Sequence, residues 1–123
     1  MQHAPGFLAI VDDAKSRVRE VSVAETQARL AARPAAMLVD VREDREWEAG
    51  HAAGAVHIGK GVIERDIEGL VPDKGTELIL YCGGGFRSAL SADVLQRMGY
   101  TNVTSMAGGW RAWNEAQAPV ARG

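Results

Sequence analysis

Two short apolar runs constrain this chain more than any other feature: residues 36–41, Ala-Met-Leu-Val-Asp-Val, and residues 77–82, Glu-Leu-Ile-Leu-Tyr-Cys. A strand with one wet face alternates apolar and polar residues. Near-continuous apolar runs of this length suit strands buried on both faces, as in parallel sheets covered by helices. Weaker strand patterns lie at 55–58 and 102–106, with a short edge strand near Glu20 and Val21. Helical patterns alternate with them. Ser22 followed by Glu25 forms a capping box that starts a helix over residues 23–32, closed by Pro34. Residues 44–49 before Gly50 predict a shorter helix, and Leu90, Val94, Leu95 and Met98 mark a helix face stopped by Gly99. Phe7, Ile10, Val11, Ala14 and Val18 form one helical stripe at the N-terminus, to cover the domain's own core or meet a second copy of the chain. Strands alternating with helices predict an α/β domain with a mainly parallel sheet, whose ligands lie at the carboxyl ends of its strands.

At 123 residues there is room for one domain and a real core. Fourteen basic against sixteen acidic residues, with no long run of either sign, argue against a nucleic-acid partner. The early apolar run 7–11 is too short for a signal-peptide core or a membrane span, so the expectation is a cytoplasmic protein that does not enter the membrane. Cys82 is the only cysteine. It cannot form an intrachain disulfide or a multi-cysteine zinc site, which points to a reducing compartment and to no metal or cofactor.

Cys82 ends the second apolar run and is followed by Gly83-Gly84-Gly85-Phe86-Arg87-Ser88 and then a helix. This strand-to-helix turn favours an anion. A helix start has unpaired N–H groups and the positive end of the dipole, and consecutive glycines let several N–H groups converge on one point. A thiolate there is stabilised and nucleophilic, while Arg87 adds a planar fork for an oxyanion. The plainer alternative is a buried small hydrophobe beside a tight turn. The joint placement of glycines and arginine after the strand favours chemistry.

The loop from Cys82 to Arg87, with Gly85 within it and Ser88 after it, resembles the active loop of single-domain rhodanese-like sulfurtransferases. Two more segments resemble that family: Leu38-Val39-Asp40-Val41-Arg42 leading to Gly50-His51-Ala52-Ala53-Gly54-Ala55, and Met106-Ala107-Gly108-Gly109-Trp110-Arg111-Ala112-Trp113. The resemblance covers about residues 20–118. It departs at Ala53, where the family usually has proline. It implies a single rhodanese-like domain over 20–123, a mainly parallel five-stranded sheet with helices on both faces, preceded by an extra N-terminal helix in 1–19. It also implies a persulfide cycle. Cys82 is then nucleophile and sulfur carrier, residues Gly83, Gly84, Gly85, Phe86, Arg87 and Ser88 form the substrate cradle, and Arg87 is the donor-binding cation. The partners are a small anionic donor such as thiosulfate and a cyanide, thiol or protein acceptor, acting on a monomer or weak homodimer. Asp40 is expected to brace the loop by hydrogen bonds, and Arg42 to pair with a nearby acid such as Glu48.

Other readings compete. A binding or redox-sensing module would use the same thiol through its oxidised forms. Cysteine phosphatases and arsenate reductases place five residues between cysteine and arginine, whereas Cys82 and Arg87 enclose four, and no aspartate general acid lies in the loop. His51 and His57 read as turn or packing residues, and Trp47, Trp110 and Trp113 as packing anchors, with Trp110 also placed to wall the site's mouth. Phe86 is positioned to shield the persulfide or meet an acceptor.

Overall fold

The two apolar runs lie side by side at the centre of a parallel sheet. The computed structural model describes residues 3–122. Its first half comprises α1 (Pro5–Lys15), β1 (Arg19–Val21), α2 (Val23–Ala32), β2 (Met37–Asp40), α3 (Asp44–Ala49), β3 (His51–Ala52) and β4 (Val56–His57). The second comprises α4 (Ile63–Leu70), β5 (Leu78–Tyr81), α5 (Phe86–Arg97), β6 (Val103–Met106), α6 (Gly109–Glu115) and β7 (Val120–Ala121). The main sheet has the order β1-β6-β5-β2-β4, every pair parallel, and β3 and β7 form a separate antiparallel ribbon.

The period-two rule explains why both central strands are apolar throughout. Val39, Leu78, Leu80 and Cys82 face one core, shared with Ile63 and Ile67 of α4 and Leu95 of α5. Leu38, Ile79 and Tyr81 face the other, with Met106 and Trp113. The sheet is therefore covered on both sides, as an α/β domain of this kind requires. No helix among the described residues is long and apolar enough to cross a membrane.

The capping box forms as expected. Ser22 Oγ accepts from the Glu25 N–H at 3.0 Å and Glu25 Oε1 accepts from the Ser22 N–H at 2.9 Å, so α2 starts where the sequence placed it. The N-terminal stripe is only partly buried: Val11 and Ala14 of α1 are covered, Val18 is buried in the turn beyond it, and Ile10 is 55% exposed. α1 packs on α5. The departure at Ala53 has a physical reason, because its N–H donates to the Pro119 carbonyl at 2.9 Å and extends the β3–β7 pairing. Proline would remove that donor.

Candidate active site

Cys82 follows β5 directly, at the carboxyl edge of the sheet, and α5 begins four residues later at Phe86. The turn between them wraps the sulfur. Cys82 Sγ accepts N–H groups from Gly85 at 3.2 Å and Ser88 at 3.3 Å, and its thiol donates to Ser88 Oγ at 3.5 Å. Ser88 Oγ is held in turn by Ser105 Oγ at 2.8 Å, which links the loop to β6. Gly85 caps α5 with φ +99°, in the left-handed region that side chains avoid, and a Cβ there would lie 3.3 Å from the Gly108 nitrogen. The N–H groups of Gly83, Gly84, Phe86 and Arg87 find no acceptor among the described residues, as the start of a helix dictates for the last two. They belong to the same turn as a sulfur that is itself almost fully buried, yet borders an open cleft of about 1150 Å³.

Arg87 is close to the sulfur but not free. Its Nη1 and Nη2 donate to Glu46 Oε1 and Oε2 at 2.8 and 3.2 Å. Glu46 belongs to α3, and its Oε1 also accepts the Glu43 N–H at 3.0 Å. Hydrogen bonding to Arg87 holds the Glu46 carboxyl down at about 2, against a partial burial that would raise it, so the pair stays ionised at neutral and mildly acidic pH. Glu46 also raises Arg87 above the ordinary guanidinium value, and the Cys82 sulfur adds to that rise. Nothing in the local sequence signals this pair, because its members are 41 positions apart and meet only when α3 folds over the loop.

Arg42 forms the expected ion pair with a nearby acid, but that acid is Asp40. Arg42 does not reach Glu48. Its guanidinium forks onto Asp40, with Nη2 at 2.8 Å from Oδ2 and Nε at 3.1 Å from both oxygens, and Nη2 also donates to the Gly50 carbonyl at 2.7 Å. Nor does Asp40 bond the Cys82 loop: its other partner is Tyr81 OH, which donates to Oδ2 at 2.6 Å and accepts the Ala52 N–H at 3.0 Å. Residues two apart at a strand end project to the same face, which explains why Arg42 finds Asp40 first. Burial raises the Tyr81 phenol well above its ordinary value, and its bond to Asp40 adds to the rise. The wholly buried cluster Asp40–Arg42–Tyr81 thus fixes the ends of β2 and β5, one residue before the nucleophile. The Trp110 ring lies under it, with Arg42 Cζ 4.7 Å from the centroid.

The main feature that local reading missed is the anchor supplied by α6. The N–H of Trp110 donates to the Cys82 carbonyl at 2.7 Å and that of Arg111 to the Gly83 carbonyl at 3.1 Å, so the first turn of α6 holds the loop from behind. Gly109, at φ +51°, makes this possible: a Cβ there would overlap the Cys82 carbonyl oxygen, and the backbone carbons of Cys82 and Gly83 would lie 3.0 Å away. The Gly-Gly-Trp-Arg run was its only trace in the sequence. Gly109→Ala is expected to displace the loop and lower stability by about 1–3 kcal/mol, whereas Gly84→Ala, with nothing within 4 Å of the added carbon, leaves the denaturation midpoint in place. Equal midpoints for the two variants would contradict the close-approach argument.

Trp110 does not wall the cleft; its neighbour Arg111 does, together with residues of α1 and with His3 and Ala4 just before it. Phe86 packs against His3 and Phe7, with ring centroids 4.8 and 6.2 Å away, and Lys15 Nζ lies 4.8 Å above its ring. The histidines take packing roles. Trp47 stacks on His51 at 3.4 Å and near His57 at 5.0 Å, while His51 Nδ1 lies 2.9 Å from the Trp47 carbonyl and His57 Nε2 lies 2.8 Å from that of Arg42.

Comparison with known proteins agrees with this geometry. The Rhodanese-like domain family matches residues 22–116. The Bacillus subtilis (strain 168) protein named "Putative sulfurtransferase YtwF" is 34% identical over 102 residues, covering 83% of this chain and 96% of its own. Thiosulfate sulfurtransferase PspE of Escherichia coli (strain K12) is 33% identical over 70 residues, covering 57% of this chain and 67% of its own. Among solved structures, a Rhodopseudomonas palustris protein titled as of unknown function, "Possible Tyrosine Phosphatase", superposes with a TM-score of 0.86 at 28% identity, over 98% of both chains. With the family match spanning all but the N-terminal helix, the first strand and the last few residues, this chain belongs to the rhodanese-like domain family.

Proposed function

We propose that this chain is a sulfurtransferase that carries a sulfane sulfur as a persulfide on Cys82, loaded from thiosulfate or a similar anionic donor. The observation that carries the reading is the Cys82 sulfur at the centre of a turn whose N–H groups converge on it, with further unpaired N–H groups and Arg87 beside it. The Cys82 thiolate attacks the outer sulfur of thiosulfate. The new S–S bond forms on Cys82, and the old one breaks with its electron pair leaving on sulfite. An acceptor thiolate or cyanide then takes the outer sulfur and returns the pair to Cys82. Both half-reactions keep negative charge at one place, so one set of fixed N–H dipoles serves both. The names of PspE and YtwF support the same chemistry. Residues 20–123 form the catalytic unit in this reading, and 1–19 an appended helix.

The phosphatase named in the Rhodopseudomonas palustris title is the second reading. Four residues between Cys82 and Arg87 make a tighter ring than cysteine phosphatases use, and no aspartate general acid lies in the loop. Intact-mass measurement after thiosulfate treatment separates the two. The expected result is a gain of one sulfur atom that cyanide or a thiol removes. No such adduct, with hydrolysis of an aryl phosphate instead, would establish the phosphatase.

A further inference from the structure

The cleft above Cys82 is much larger than thiosulfate or cyanide requires. At about 1150 Å³ it lies just above the roughly 300–1,000 Å³ of sites that hold organic ligands. Two side-chain features of its lining stand apart from the N–H groups around Cys82. One is the apolar surface made by Phe7 of α1 against Phe86. The other is Arg111, whose side chain makes no hydrogen bond or ion pair among the described residues, in contrast to Arg87 with its Glu46 partner. An exposed arginine without a partner is ordinary on a surface. Here it stands in the same cleft as the nucleophile, on the helix whose first turn grips the Cys82 loop.

The second substrate must enter this lining to reach the carried sulfur. Loading adds an S–S bond of about 2 Å, so the sulfur that an acceptor must reach lies farther out in the cleft than Cys82 Sγ. An acceptor therefore approaches through the cleft that Phe7, Phe86 and Arg111 line. We infer that Arg111 is the specificity-determining residue for the acceptor, a small organic thiol bearing an anionic group, with its thiolate on the persulfide and its apolar stem beside Phe7 and Phe86. This rests on the sulfur-transfer reading above. The acceptor thiolate attacks the outer sulfur of the Cys82 persulfide, forming the S–S bond of a new small-molecule persulfide. The Cys82 S–S bond breaks and its electron pair restores the Cys82 thiolate, with no external oxidant or reductant. Arg111 acts on binding, because its planar fork matches a carboxylate at a distance from the reacting sulfur.

The test compares two acceptors of similar size, thioglycolate and mercaptoethanol, with thiosulfate as donor. The intrinsic difference between the two thiols cancels when variant and wild type are compared. In Arg111→Gln the ratio of kcat/KM for thioglycolate to that for mercaptoethanol falls about two- to fivefold, through KM, the size of one exposed ion pair. Arg111→Lys retains most of the preference. Arg97→Gln, which removes the same charge at the other end of α5, leaves the ratio unchanged. An unchanged ratio in Arg111→Gln, or an equal fall in Arg97→Gln, overturns the assignment. Intact mass of the thiosulfate-treated wild type separates the two levels. A sulfur gain with an unchanged ratio rejects Arg111 alone, while no gain rejects sulfur transfer and this inference together.

Discussion

Cys82→Ser is expected to abolish sulfur transfer, by roughly a thousandfold or more in rate, while the protein stays folded. The two outcomes follow from different parts of the same site. Serine keeps an acceptor for the Gly85 and Ser88 N–H groups, and Ser88 Oγ retains its bond to Ser105, so the turn loses no partner it depends on. Cys82 is also the final residue of a core facing α4 and α5, and serine is slightly smaller, so the stability loss is modest. Chemistry has no such substitute. A hydroxyl ionises far less readily than a thiol and cannot hold a sulfane sulfur as a persulfide, and the chain has no second cysteine to take over. The check is twofold: steady-state transfer from thiosulfate, and the absence of a sulfur adduct by intact mass. Retained transfer would overturn the mechanism. Loss of transfer together with loss of the folded state would instead show that the sulfur's packing governs the loop. The solitary cysteine has a further consequence for the cycle, since no internal thiol can resolve the persulfide into a disulfide.

The residues that local physics controls were legible before the fold was known. The apolar runs gave β2 and β5 to within a residue at each end, because burial on both faces leaves no polar alternation to misread. The Ser22–Glu25 box placed α2, because both of its bonds are local. The Cys82 turn was legible because strand, glycines and helix are contiguous. What stayed hidden depends on segments that meet only in three dimensions. Glu46 reaches Arg87 across 41 positions. Gly109 looked like half of a glycine pair, and its need for no side chain comes from the Cys82 carbonyl lying against it. α4 was missed because only Ile63 and Ile67 of its eight residues are buried, too few to mark a period. Ile10 belonged to a plausible stripe, but α5 covers α1 along the Val11–Ala14 line and leaves Ile10 outside.

The largest stability effect is expected at Asp40, which is fully buried and accepts from Arg42 and Tyr81 together. Asp40→Ala leaves the Arg42 guanidinium in the interior with only the Gly50 carbonyl, and leaves the Tyr81 hydroxyl without its acceptor. Removing one partner of a buried pair costs about 3–5 kcal/mol, a large share of the roughly 5–15 kcal/mol that holds a small domain together. The loss should appear as a lower denaturant midpoint with an unchanged slope. A loss below about 1 kcal/mol would show that water reaches Arg42 and screens it. The double replacement Asp40→Leu with Arg42→Met provides the discriminating comparison. It removes the charge that Asp40→Ala strands, so it should be more stable than the single variant, although Tyr81 still lacks its acceptor. Were the double variant less stable than Asp40→Ala, the Arg42 contacts with Gly50 and the Trp110 ring, rather than its pairing with Asp40, would be the main hold on the strand ends beside Cys82.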